Sequence, residues 1–130
     1  MAKKQLEYHL QKQVCQYIVI QYPQLLFLSD TIASCNLTMQ QAVRNKAIQK
    51  EGFKTPDLVI FQPNANYSGL LIELKVESPY KKDGSLYTSE HLKSQNATIE
   101  NLNKCGYYAC FSWGFDMTKK IIDDYLSNKL

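Results

Sequence analysis

Hydrophobic residues recur at helical spacing in several segments of this chain. The first such stripe runs from about Lys3 to Tyr22, and Pro23 ends it because proline cannot continue a helix. A second helix is predicted from Thr38, since Thr38 and Gln41 have the spacing of a capping box. We expect Gly52 to stop it.

The second helix also divides into apolar and cationic positions. Its predicted inner side is Ala42, Val43, Ala47 and Ile48, and its predicted outer side is Arg44, Lys46 and Lys50. The cations, continued by Lys54, could lie along a phosphate backbone, although such a run is more often a solvated face.

Two more helices follow in the second half of the chain. One is predicted over Ser89 to Lys104, with Leu92, Ile99 and Leu102 on one face and Gln95 among them. In the other, Asp116 can serve as the cap. The residues predicted to pack inward from this last helix are Thr118, Ile121, Ile122, Tyr125 and Leu126.

Short apolar runs predict the strands. They are Asp57 to Gln62, Gly69 to Val76 and Tyr107 to Trp113, and the first two are joined by a link of hairpin length. Leu25 to Leu28 could be a further strand or a packed loop. The expected fold class is α/β, with a small mixed β-sheet flanked by helices.

Charged residues interrupt two of these apolar runs. Asp57 opens the first run directly after Pro56, and Glu73 and Lys75 stand two residues apart inside the second. Alternate strand residues share a face, so Glu73 and Lys75 point the same way. Pairing of the two strands would bring Asp57 to the same end as Glu73. Hard oxygen ligands of this kind suit Mg²⁺, and the lysine could assist a water molecule.

Two polar residues fall on helix faces that otherwise look buried. Glu7 projects into the stripe of the first helix, close to Val14 and Ile18. Its place in the first turn would also suit an exposed acid. Gln95 could equally be a core amide satisfied by the backbone.

Composition sets the class of protein. With 130 residues, 45% hydrophobic and 21% charged, residues 1–130 are expected to form a single domain. The net charge of +3 permits a nucleic-acid partner without requiring one. The sequence has no signal-like or membrane-spanning apolar run, so we expect a cytoplasmic protein with no membrane partner.

Other residues offer weaker candidate sites. His9 and His91 lack an HxxxH partner, so histidine chemistry is not favoured. The cysteines show no CxxC pair and are expected to be free thiols, at Cys15, Cys35, Cys105 and Cys110. Three loop tyrosines could stack on bases, namely Tyr67, Tyr80 and Tyr87.

Pro56, Asp57, Glu73, Leu74 and Lys75 match the pattern of the PD-(D/E)xK nuclease superfamily. The surroundings resemble its VRR-NUC branch, in the stand-alone form found in phages and bacteria. The resemblance covers about Gln5 to Trp113, and its further elements are Glu7, Gly52, Ser94 and Gln95. It implies a core like that of restriction endonucleases.

The resemblance also implies roles for these residues. Asp57, Glu73 and the backbone carbonyl of Leu74 would hold Mg²⁺, with Mn²⁺ as a substitute, and Lys75 would serve the attacking water. Gln95 and Glu7 would support the site, with Glu7 reaching the metal directly or through water. No organic cofactor is implied.

The function implied is metal-dependent hydrolysis of phosphodiester bonds by a structure-specific DNA endonuclease. Branched or four-way junction DNA, a homodimeric assembly, a role in DNA repair or recombination, and a bacterial or phage-infected cell follow from the same resemblance. Two alternatives stay open. One is a non-catalytic DNA-binding or assembly module on the same fold, and the other is a restriction-type nuclease that reads a defined sequence.

Overall fold

A computed structural model describes residues 2–30 and 36–130. Four helices and four strands form an α/β arrangement over these ranges. In chain order the elements are α1 (Lys3–Gln21), β1 (Phe27–Ser29), α2 (Met39–Ile48), β2 (Leu58–Ile60), β3 (Leu70–Lys75), α3 (Glu90–Lys104), β4 (Tyr108–Trp113) and α4 (Phe115–Leu126). None of the helices in these ranges is both long and apolar enough to cross a membrane.

The sheet is mixed, as predicted. Its strand order is β1-β2-β3-β4, with β1 antiparallel to β2 and β2 antiparallel to β3. Strands β3 and β4 are parallel, and α3 makes the crossover between them. The short run whose nature the sequence left open is therefore a strand, β1, at one edge of the sheet.

Each face of the sheet has its own hydrophobic core. Helices α1 and α4 cover one face, where Val14, Ile18, Ile72 and Tyr125 are buried. Helix α3 lies on the other face, where the buried residues are Val59, Leu71, Ile99, Ala109 and Phe111. Strand alternation sends successive β3 residues into these two cores in turn.

Helix α2 has the predicted start but not the predicted packing. The Gln41 N–H donates to Thr38 Oγ1 at 3.2 Å and the Thr38 N–H donates to Gln41 Oε1 at 2.9 Å, which completes the capping box. None of its residues is buried. The prediction that its apolar residues face inward is wrong, since Ala42, Val43, Ala47 and Ile48 are all exposed.

Two other helix details differ from the sequence analysis. The N-cap of α4 is Gly114, with φ of 81°, and not Asp116, which lies in the first turn of the helix. Glycine adopts this left-handed conformation without the steric cost that a side chain would bring. In α1 the buried residues are Val14 and Ile18, so the first two turns extend beyond the core and leave Glu7 exposed.

Candidate active site

Strand β3 carries the two central charges. Leu70, Ile72 and Leu74 point into the core beneath α1 and α4, which leaves Glu73 and Lys75 on the face of α3. Both side chains are half-buried. As predicted, Leu74 therefore lies on one face of the sheet and its two charged neighbours lie on the other.

Asp57 lies at the start of β2, beside the end of β3. Its Oδ2 accepts a hydrogen bond from the Leu74 N–H at 2.9 Å. Its backbone carbonyl accepts from the Asp30 N–H at 3.0 Å, just past the end of β1. Pro56 before it is fully buried, so the backbone at this position is fixed from both sides.

The carboxyl groups of Asp57 and Glu73 converge closely enough for each to shift the pKa of the other. Burial, and then the charge of Asp57, raises the pKa of Glu73 to about 8. Burial also raises the pKa of Asp57, although the Leu74 N–H and Lys75 oppose it. Two carboxylates this close cannot both ionise easily, so at neutral pH the pair shares a proton unless a cation replaces it.

Gln95 connects the acid pair to the lysine. Its Nε2 donates to Glu73 Oε1 at 2.7 Å, and its Oε1 accepts from Lys75 Nζ at 2.7 Å. The two partners fix the orientation of the amide, because only the oxygen can accept from an ammonium. Lys75 Nζ also lies 5.9 Å from the centre of the Phe111 ring.

The carbonyl of Leu74 faces the same corner. The Leu74 N–H points toward Asp57, and in a strand the carbonyl of the same residue points to the same side. Continuing the register from Leu58 opposite Ile72 places Pro56 opposite Leu74. Proline has no N–H to donate, so the sheet supplies no ladder partner to this oxygen from Pro56.

Glu7 influences the acid pair through its charge but does not form a cluster with it. Its charge contributes to the raised pKa of Asp57. Across the described residues, however, no group of three or more Asp, Glu, His or Cys side chains is arranged to hold a metal ion. Glu7 therefore does not join Asp57 and Glu73 in a cluster of three acids.

Sequence reasoning missed Gln11, one helical turn after Glu7 on α1. Its Nε2 donates to Ser29 Oγ at 2.5 Å and to the Asp30 carbonyl at 3.0 Å. Asp30 in turn donates to the Asp57 carbonyl. The four-residue spacing from Glu7 was a signal for a shared face, but the partner strand could not be read from the sequence.

The structure also shows the surroundings of the loop tyrosines and of the cysteines. Tyr80 packs against Trp113 with ring centres 5.7 Å apart, and Tyr67 packs against Tyr108 at 5.1 Å. Both of these tyrosines are half-buried, whereas Tyr87 is exposed. Free thiols are present at Cys15, Cys105 and Cys110, while Cys35 lies outside the described residues.

No family model and no curated protein matches the chain. A solved structure described as a VRR_NUC domain protein does match, with a TM-score of 0.60 and 22% sequence identity. The match covers 98% of this chain and 89% of that one. The chain has a VRR-NUC-like fold. The polar corner formed by Asp57, Glu73, Lys75 and Gln95 lies within this fold.

Proposed function

We propose that the protein is a metal-dependent endonuclease that hydrolyses phosphodiester bonds in DNA. The observation that carries the proposal is the contact between Asp57 and Glu73, with Gln95 joining Glu73 to Lys75. The VRR-NUC-like fold supports the same reading, because the name of that fold family denotes nucleases.

The donor set fits Mg²⁺, with Mn²⁺ as a substitute. Asp57, Glu73 and the Leu74 carbonyl would hold the ion. Mg²⁺ is usually bound through one or two carboxylates and keeps several waters, so a cluster of three acids is not needed. Burial and the repulsion of Asp57 raise the pKa of Glu73, and a bound cation would favour the ionised pair.

When bound, the ion would polarise the scissile phosphate and make a water molecule easier to deprotonate. Lys75 is proposed to orient the attacking water and to neutralise charge that develops on the phosphate. Gln95 would keep the lysine beside Glu73, since one amide contacts both. Attack in line would expel the 3′-oxygen and leave a 5′-phosphate.

Glu7 would complete the site, reaching the ion directly or through water. Its exposure at the start of α1 and its effect on Asp57 favour contact through water. The substrate we propose is branched DNA, including four-way junctions, cut by a homodimer in a bacterial or phage-infected cell during DNA repair or recombination. This finer assignment follows the resemblance to stand-alone VRR-NUC proteins.

The experiment is a cleavage assay on duplex and four-way junction DNA with Mg²⁺. We expect Mg²⁺-dependent cutting that is lost in Glu73→Ala and Lys75→Ala, while circular dichroism shows that both variants fold. Undiminished cutting by both variants would contradict the proposed chemistry. Binding of junction DNA without any cutting, at all Mg²⁺ and Mn²⁺ concentrations, would favour a non-catalytic module.

A further inference from the structure

The positive charge of the chain is concentrated in one short segment. We name residues 36–55 the basic arm. It contains Arg44, Lys46, Lys50 and Lys54 against a single acid, Glu51. The whole chain has 15 cations and 12 acids, so eleven of each sign remain outside the arm. The net charge of +3 therefore equals the net charge of the arm.

The fold does not use these cations internally. All four are exposed, and no residue of α2 is buried. Elsewhere in the described ranges, Lys93, Lys119 and Lys120 form ion pairs with acids on their own helices. The four cations of the basic arm form no ion pair with any described residue.

The basic arm is attached to the sheet beside the acid pair. The chain leaves the sheet after Ser29 and returns at Leu58, and these two residues are opposite each other in the β1–β2 register. The neighbouring Asp30 N–H donates to the Asp57 carbonyl at 3.0 Å. The arm therefore projects from the same corner that holds Asp57.

We propose that the basic arm binds the phosphate backbone of DNA next to the bond that is cut. This inference rests on the proposed function and adds to it the element that holds the substrate. The carboxylates of the site repel phosphates wherever the proposed ion does not neutralise them, so positive charge nearby helps to hold a polyanion there. Exposed lysine and arginine side chains supply this attraction through the release of counterions.

A second copy of the chain is the other possible occupant of the arm. Met39, Val43 and Ile48 are exposed on it, at 85%, 63% and 80% of their full area. Charge decides in favour of DNA, because contact between two arms would bring like charges together. The test below distinguishes the two occupants.

The test compares two variants with the same loss of charge. The arm variant is Arg44→Gln, Lys46→Gln and Lys50→Gln, which leaves Lys54 near Asp57 untouched. The control variant is Lys12→Gln, Lys104→Gln and Lys129→Gln, three exposed lysines outside the arm. Binding of fluorescent four-way junction DNA is measured in EDTA, which prevents cleavage, over a range of salt concentrations.

We expect the slope of log affinity against log salt to fall by about 2 to 3 in the arm variant, since each lost phosphate contact removes about 0.9. The control should change the slope by less than about 1. Equal slopes for the two variants would overturn the proposal. A second result would also overturn it. In that result the arm variant keeps the wild-type slope, binds DNA more weakly, and is shown by sedimentation to have dissociated from a dimer.

This binding test can fail or succeed independently of the cleavage test of the proposed function. If the wild-type protein cuts DNA but the arm variant binds like the control, the arm proposal fails and the nuclease proposal stands. If no cutting occurs under any condition but the slope falls only in the arm variant, the nuclease proposal fails, and of the arm proposal only the binding of DNA by the arm stands.

Discussion

Asp123 on α4 and Glu73 on β3 are both half-buried carboxyl groups, and they have opposite surroundings. Asp123 Oδ1 accepts from Tyr17 at 2.5 Å and from Tyr22 at 2.6 Å, while Oδ2 contacts Lys119 at 3.0 Å. Burial opposes ionisation of Asp123, but these partners outweigh it and lower its pKa. Glu73 contacts another carboxyl group, and its pKa rises to about 8.

The comparison separates a structural cluster from the proposed metal site. The anion of Asp123 has all the donors it needs and joins α1 to α4. Among the described residues, Lys75 is the cation whose charge opposes the repulsion between Asp57 and Glu73. The fold holds two carboxyl groups close together, and a divalent cation would neutralise the negative charge of the ionised pair.

The largest expected effect is on catalysis. Lys75→Ala should lower the rate of DNA cleavage by about 10²–10⁴-fold, the usual contribution of a positioned acid–base group. The matched change in the other cluster, Lys119→Ala, should leave the rate of the folded enzyme unchanged. Single-turnover rates for the two variants measure this directly, and equal losses would remove the distinction between the clusters.

The next effect concerns stability. Asp123→Asn should lower the free energy of unfolding by about 1–2 kcal/mol, because it weakens charge-assisted hydrogen bonds that are partly exposed. Urea titration measures the loss. Cleavage per folded molecule should stay at the wild-type level, and a large loss of activity in a fully folded Asp123→Asn protein would contradict a purely structural role.

The acid pair should also give a pH dependence of stability. The folded protein raises the pKa of Glu73 above its unfolded value, so the folded state binds the proton more tightly. This contribution is fully present below about pH 4.5 and is lost as the pH rises to about 8. Wild type should therefore lose stability relative to Glu73→Gln over this range.

Urea titrations in EDTA from pH 5 to pH 9 would measure that difference. Mg²⁺ should reduce the loss at high pH, because it stabilises the ionised pair. A difference between wild type and Glu73→Gln that is constant with pH would show that the carboxyl groups do not interact as described.

The smallest expected effect is that of Gln11. Gln11→Ala removes the link from α1 to Ser29 and Asp30, and so loosens the placement of Glu7 relative to Asp57. We expect kcat to fall by about two- to tenfold with little change in KM, as two hydrogen bonds that hold α1 against Ser29 and Asp30 are lost. Gln13 is exposed on the same helix, and Gln13→Ala serves as the control. A change in KM alone would point to substrate binding and not to positioning.

Local rules predicted the elements of the site. Alternation along a strand placed Glu73 and Lys75 on one face, and the face of Leu92 and Ile99 correctly included Gln95. The capping box fixed the start of α2. The structure confirms these predictions. They could be made from the sequence because each depends on residues that are close together in the chain.

Features that depend on distant packing could not be predicted in the same way. Whether the apolar residues of α2 are covered depends on what lies opposite, and in the described chain they are exposed. Tyr80 looked like a free loop residue, yet its ring packs edge-on against Phe111 and Trp113. The role of Gln11 depends on where β1 ends relative to α1, which the sequence does not specify.

The most direct test of the central claim is a crystal structure of the protein soaked with Mn²⁺. We predict an anomalous peak between Asp57 and Glu73, within bonding distance of the Leu74 carbonyl oxygen, and no peak beside Asp123. A fully occupied peak elsewhere, with no peak between Asp57 and Glu73 at pH 8.5, would contradict the claim that this pair is a metal site.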